Sequence, residues 1–156
     1  MKLRTNAVDL WVFHKEGGEP RYLLFHTSQE KADKWFFGDR FWQINGGFVE
    51  EGETLEDTVR RCLDQYGLRA SGVWAAEHTY TFYSTRRKNL EIVPVFAAAV
   101  EEPLDVPLSW EHAEAGWFTA DECLERLQFR GLIESLAAVR QYVSEVDTPH
   151  GAYQIL

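Results

Sequence analysis

The stretch WQINGGFVEEGETLEDTVRRCLDQYGL, residues 42–68, decides how the rest of the chain is read. Its layout is a short extended run, a glycine turn, an acidic loop and a helix. Gly46, Gly47 and Gly52 allow tight turns and a close approach of backbone to ligand. Glu50, Glu51, Glu53 and Glu56 crowd the loop and the helix start. Helix N-termini favour acid, but this density exceeds what capping requires. Hard carboxylate oxygens in such a cluster suit Mg²⁺, which in turn suits phosphate chemistry. Thr54 and Asp57 fit a capping box. Leu55, Val59, Cys62, Leu63 and Tyr66 fall at helical spacing as one apolar stripe, and Gly67 is a C-terminal stop.

Outward from this stretch, β-rich segments alternate with turn signals. Val8–Phe13 and Tyr22–His26 read as strands joined by the turn Glu16–Pro20. Ser28–Arg40 is polar with interspersed aromatics and reads as a long loop. Phe41–Ile44 is short and extended. Val73–Tyr83 and Leu90–Val100 read as two strands flanking the basic hairpin tip Ser84–Asn89, and Gly116–Phe118 as a short strand. Thr119 and Glu122 form a second capping box, opening a helix to about Leu127. Leu132–Val143 is an amphipathic closing helix, and the tail from Asp147 reads as irregular. The order β, β, β, α, β, β, β, α, α predicts an α/β fold with a mixed sheet packed between helices.

Composition narrows the class of function. The chain has 156 residues, 45% of them apolar. That suits one domain over residues 1–156 and excludes wholesale disorder. No apolar run is long enough to span a bilayer as a helix, and the first residues lack a signal peptide's pattern. Net charge is −9, from 16 basic and 25 acidic residues, so a nucleic-acid polymer is not the expected partner. Small anionic ligands remain open, because a local patch or a bound metal overrides the global charge. Cys62 and Cys123 are far apart and form no CxxC pair, which predicts reduced thiols, a cytoplasmic protein and no structural zinc.

Residues 42–68 resemble the box of the Nudix (MutT-like) hydrolase family, G-x5-E-x7-R-E-U-x-E-E-x-G-U with U aliphatic. Gly47 supplies the first glycine, Glu53 the first glutamate, Arg61 the arginine and Leu63 an aliphatic position. Phe41-Trp42-Gln43 and Glu50–Glu53 also resemble the branch acting on dATP and dihydroneopterin triphosphate. So does Leu108-Ser109-Trp110-Glu111-His112 followed by Gly116-Trp117-Phe118, where Glu111 stands at an outlying metal ligand or base. The resemblance covers about Val8 to Val143. It implies a Nudix-type α/β/α sandwich and metal-dependent cleavage of a pyrophosphate bond in a nucleoside triphosphate or related nucleotide, with Mg²⁺ or Mn²⁺ as cofactor. It further implies Glu53, Arg61 and Glu111 as catalytic residues, and Trp42, Gln43, Arg4, Gly46 and Gly47 as substrate-binding residues. A homodimer is compatible with it.

The departures carry as much information. Where the family has R-E-U-x-E-E, this chain has Arg61-Cys62-Leu63-Asp64-Gln65-Tyr66. In the family, carboxylates at i, i+3 and i+4 share one helix face and reach one metal cluster. Cys62 is a soft ligand that Mg²⁺ disfavours, Gln65 offers a neutral carbonyl oxygen, and Tyr66 is a poor ligand when protonated. A frame shifted by one aligns Gly67, Asp64 and Arg60 but spoils the glycine-to-glutamate spacing. Metal binding would therefore fall to Glu50, Glu51, Glu53 and Glu111, helped by Asp64, Gln65 and the Gly46 carbonyl. The alternative is a nucleotide-binding or regulatory module that keeps the fold and has lost turnover.

Each singled-out residue also has a structural reading. Glu53 and Arg61 would serve as an ion pair joining loop to helix, and Cys62 and Tyr66 as core. His26, His78 and His112 are expected as hydrogen-bonded structural histidines. Trp42, Trp35, Phe36 and Phe37 either pack or stack a base. Arg86, Arg87 and Lys88 are either a solvated tip or phosphate ligands, as are Arg4, Lys31, Lys34 and Arg40.

Overall fold

A computed structural model describes the backbone of residues 1–156 and every side chain except that of Glu16. Twelve elements follow in chain order. They are β1 (Lys2–Arg4), β2 (Ala7–Glu16), β3 (Glu19–Thr27), α1 (Gln29–Trp35), β4 (Trp42–Gln43), β5 (Asn45–Phe48), α2 (Leu55–Asp64), β6 (Ala70–Ser84), β7 (Asn89–Val100), β8 (His112–Phe118), α3 (Ala120–Arg126) and α4 (Arg130–Val139).

The strands form one eight-stranded mixed sheet. β7 is its hub, pairing parallel with β1 and β2 and antiparallel with β6. β2 also pairs antiparallel with β3 at its far end and with β5 at its near end. Alternation along β2 sends successive side chains to opposite faces. Leu10 and Val12 join a core with Val59, Cys62 and Leu63 of α2. Trp11 and Phe13 join a second core with Cys123 of α3 and Leu132, Leu136 and Val139 of α4. Helices thus cover both faces, and the expected α/β sandwich with a mixed sheet is what the chain forms.

Local sequence explains most boundaries. Both capping boxes are present: Thr54 with Asp57 opens α2 and Thr119 with Glu122 opens α3. Each satisfies two backbone donors that a helix start otherwise leaves unpaired. The α2 helix ends at Asp64. Gly67 follows at φ +66° while the Leu68 amide reaches back to the Leu63 carbonyl at 3.1 Å. That closure uses the left-handed conformation glycine adopts without strain.

Several elements differ from the sequence reading. Part of the expected loop Ser28–Arg40 is the helix α1. Ser28 caps it by accepting from the Lys31 amide, but Ala32 is its one buried residue, so no apolar stripe announced it. The run Phe41–Ile44 contains β4, paired with β3, and a separate strand β5, paired with β2, follows it. β1 exists through long-range pairing with β7, which two-residue periodicity cannot reveal. β8 begins at His112, earlier than expected, because β3 offers it a partner edge. The closing helix stops at Val139 and continues as a wider π-type turn over Arg140–Ser144. The tail is not wholly irregular. A 3₁₀ turn spans Gly151–Tyr153, and the Ile155 amide donates to the Val73 carbonyl at 2.8 Å.

Candidate functional site

The loop between β5 and α2 is fastened to its helix by one charge pair. Arg61 donates to both carboxylate oxygens of Glu53, from Nε at 2.9 Å and Nη2 at 2.7 Å, and Nη2 also reaches the Phe48 carbonyl at 2.8 Å. Glu53 further accepts from the Glu50 amide at 2.9 Å and the Thr58 hydroxyl at 3.2 Å. These donors, Arg61 foremost, hold the Glu53 carboxyl down at about 2. Its oxygens are therefore occupied by protein donors. Glu50 is exposed, with an oxygen 3.9 Å from Arg61, and Glu51 is exposed as well.

The box departures now have a physical location. Cys62 and Tyr66 are 1% and 6% exposed, inside the core rather than facing solvent. A Cβ on Gly47 would lie 2.9 Å from the Cys62 sulfur, so β5 runs against α2 with no room for a side chain. The Tyr66 ring packs on Phe25 at 4.7 Å, and Phe25 packs on His112 at the same spacing. Burial, with Glu111 and Cys62 nearby, pushes the Tyr66 hydroxyl up to about 12, so it stays protonated. Asp64 and Gln65 are exposed on the outer side of α2, where they share a shallow groove with Asp57, Arg60 and Arg61. Among the described residues, no three His, Cys, Asp or Glu side chains converge to hold a metal ion. Glu50, Glu53, Asp64, Gln65 and Glu111 are not gathered on one point. The donor set does not fit Mg²⁺ or Mn²⁺, which need several oxygens in tight geometry.

Glu111 belongs instead to a network on β4 and α1. Its carboxylate lies 3.8 Å from the Lys31 ammonium. Lys31 reaches the Gln43 carbonyl oxygen at 3.5 Å, and the Gln43 amide donates to His112 Nε2 at 2.7 Å. Burial, with the Lys31 charge adding to it, lowers the His112 imidazole to about 4. A neutral ring accepting at Nε2 carries its proton on Nδ1, which is buried without a partner among the described residues. Burial also lowers the Lys31 ammonium, with Glu111 opposing and Arg86 reinforcing that shift.

Past Lys31 further cations gather on aromatic rings. The guanidinium of Arg86 lies 4.1 Å from the Trp35 ring and the Lys34 ammonium 4.9 Å from the same ring. Arg4 and Arg87 lie 4.3 and 4.6 Å from the Phe48 ring. The hairpin tip between β6 and β7 is thus docked on α1 and β5 through its arginines. Arg4 is steered by a 2.7 Å bond to Asn6 and stands 3.8 Å from Glu91.

Of the expected site residues, Arg4 belongs to this region and Gln43 and Glu111 connect to it through Lys31, whereas Gly46 and Gly47 face Val8, Asp9 and Cys62 and Trp42 turns away. Trp42 stacks on His26 at 4.5 Å and meets Phe118 edge-on, which makes it a packing residue. Gly46 is required by space, since a Cβ there would lie 2.7 Å from the Val8 carbonyl. His78 does not fit the hydrogen-bonded expectation: its Nε2 is buried without a partner among the described residues. Both cysteines are buried and unpaired.

Two acids escaped the sequence reading. Glu91 is 1% exposed, and neither carboxylate oxygen has a hydrogen-bond partner among the described residues. Asp9 accepts a short hydrogen bond from the Tyr80 hydroxyl, and burial raises its carboxyl to about 6. A lone acid inside each of the apolar strands VDLWVF and LEIVPVF was the available signal.

Comparison with known proteins gives concordant results. The model of the NUDIX domain family matches residues 3–139. An octanoyltransferase from Myxococcus xanthus is 30% identical over 132 residues, covering 83% of this chain and 35% of its own length. The chain therefore spans about a third of that relative. Among solved structures, a Listeria monocytogenes protein described as a NUDIX hydrolase superposes with a TM-score of 0.72 at 16% identity, covering 93% of this chain and 98% of that one. The E. coli dihydroneopterin triphosphate pyrophosphohydrolase does so with a TM-score of 0.64 at 16% identity, over 94% and 100% of the two chains. At these identities the structural likeness speaks for the fold alone.

Proposed function

The chain belongs to the NUDIX domain family, and on that premise we propose that it binds a nucleoside triphosphate or related nucleotide derivative without the metal-dependent turnover of the family. Membership supports, in general, a nucleotide hydrolase that cleaves pyrophosphate bonds, and Nudix hydrolases generally use divalent metals. One observation carries the departure from that pattern. Two of the three box positions that hold metal-binding glutamates are Cys62 and Tyr66, packed into the core at 1% and 6% exposure. Neither side chain is therefore available to hold a cation. The third position, Gln65, faces outward with a neutral amide.

The ligand side remains equipped. Arg4 and, through Lys31, Gln43 adjoin a region where side-chain cations outnumber acids. Glu53 and Arg61 hold the glycine loop in place. Glu111 acts through Lys31 and Gln43, orienting them toward the ligand. No water-activation step is assigned, because Glu53 already accepts four hydrogen bonds and Glu111 is engaged with Lys31.

A second reading, metal-dependent hydrolysis through Glu50, Glu53, Asp64 and Glu111, is favoured by the intact Glu53–Arg61 pair. Thermal shifts with a panel of nucleotides, each in EDTA and in Mg²⁺, separate the two, with phosphate and pyrophosphate release measured in parallel. The expected result is stabilisation equal in both buffers, about 2.7 kcal/mol at one hundred times Kd, with no release. Metal-dependent release that disappears in Glu53→Gln or Glu111→Gln overturns the binding reading in favour of hydrolysis.

A further inference from the structure

The cations around Trp35 and Phe48 are crowded in a way that packing alone does not explain. Arg86 shares one ring with Lys34, and Arg87 shares another with Arg4. Burial, with repulsion from Arg86 and Arg4 adding to it, lowers the affinity of Arg87 for a proton. Arg86 likewise disfavours the charge on Lys31, whose side chain is 13% exposed. Each cation–aromatic contact contributes about 0.5–1 kcal/mol at exposed sites, and like charges brought together offset that gain. Two acids face the group: Glu91, 3.8 Å from Arg4, and Glu111, 3.8 Å from Lys31. The cluster remains net positive in a chain whose overall charge is −9.

The hairpin contributes two consecutive arginines aimed at different partners, Arg86 at α1 and Arg87 at β5. Guanidinium groups offer paired N–H donors matched to phosphate oxygens, and stacking on an aromatic ring leaves those edges free. Arg86 is close enough to both Arg87 and Lys31 for their charges to repel, and such a cluster suits two adjacent phosphate groups better than one. Below them Glu91 is sealed from solvent, with neither oxygen hydrogen-bonded among the described residues. It supplies the negative charge against which Arg4 is held.

We propose that Arg86 and Arg87 of the β6–β7 hairpin, with Arg4 and Lys31, form a metal-independent site for a diphosphate group, and that Glu91 is its positioning residue. The site rests on the nucleotide-binding reading above, and it replaces the family's metal with side-chain charge. A free diphosphate and the diphosphate of a nucleotide share this chemistry.

The test is titration of the whole chain in EDTA with inorganic pyrophosphate, orthophosphate and ADP, followed by calorimetry and by tryptophan fluorescence. A Trp35→Phe variant identifies the fluorescence reporter, because Arg86 sits on that ring. Pyrophosphate is expected to bind at least ten times more tightly than orthophosphate, and binding should weaken as salt rises. Arg86→Gln and Arg87→Gln should each weaken it tenfold or more with an unchanged melting temperature, whereas Arg130→Gln, at the exposed start of α4 where Arg130 pairs with Glu134, should leave it unchanged. Glu91→Gln should weaken it less while steepening its salt dependence, because it removes the one buried negative charge that faces Arg4, an effect a purely structural role would not produce. Loss of pyrophosphate binding in EDTA, or binding indifferent to Arg86→Gln and Arg87→Gln, overturns the site. ADP binding that survives those substitutions would leave the nucleotide reading standing without it. Pyrophosphate binding with no nucleotide binding would do the reverse.

Discussion

Replacing Tyr66 by glutamate restores a carboxylate that the family box carries, and the structure predicts that it damages the protein. Tyr66 is 6% exposed and its ring packs on Phe25 at 4.7 Å. Truncating a buried aromatic costs about 3–5 kcal/mol. Glutamate refills part of that volume, leaving about 2–3 kcal/mol of lost packing. Placing an unpartnered carboxyl there adds about 1–3 kcal/mol. The sum, about 3–6 kcal/mol, is a large share of the ~5–15 kcal/mol that holds a domain folded. At about 2–4 °C per kcal/mol for a chain of this size, the melting temperature should fall by roughly 6–24 °C.

The sign with pH follows from burial. The new carboxyl has a folded pKa above its unfolded value near 4.3, so its contribution deteriorates as pH rises through the folded pKa. Urea denaturation at pH 5 and pH 8 should therefore show a larger loss at pH 8. Added Mg²⁺ should not recover it. A variant with the wild-type midpoint at pH 8, or one rescued by Mg²⁺, would refute the reasoning: the position would then be a metal-ready pocket, not packed core.

Three further predictions follow the same geometry. His112 sits at about 4 in the folded chain, below the usual 6.5, because burial opposes its charge; its contribution is present above pH 6.5 and lost as pH falls toward 4. The stability advantage of the wild type over His112→Gln should shrink by on the order of 2 kcal/mol across that window, after allowance for partial screening, and taking the difference between the two proteins cancels the opposing titration of Asp9. Gly47→Ala places a Cβ 2.9 Å from the Cys62 sulfur and should cost about 1–3 kcal/mol; denaturant midpoints of a double-mutant cycle with Cys62→Ala should show the cost partly relieved. Arg61→Ala removes two of the four donors to Glu53, so hydrogen exchange at the Glu50 amide, which donates to Glu53, should accelerate while amides in the centre of β7 stay protected.

How legible the protein was depends on the range of the interactions involved. Both capping boxes are local exchanges across three residues, so the pattern of types revealed them. The apolar stripe of α2 depends on helical period and was equally plain. By contrast α1 buries Ala32 alone, and β1 exists through its register with β7; neither leaves a periodic trace. Glu53 with Arg61 could be named as partners from spacing on α2 and its loop, yet the convergence of four donors on Glu53 appears only when Phe48, Glu50 and Thr58 are placed around them.

The sequence by itself determined the family, the mixed sheet between helices and the loss of carboxylates at positions 62, 65 and 66, because these depend on local order, period and residue type. Tertiary structure decided what that loss means. Only the docking of β5 against α2 sends Cys62 and Tyr66 into the core, since which face of a helix is buried is set by what packs on it. Only the long reach of the β6–β7 hairpin brings Arg86 and Arg87 to Trp35 and Phe48, residues some forty to fifty positions away in the chain. Charge is additive in a sequence, but its effect depends on distance, and distance is a property of the fold.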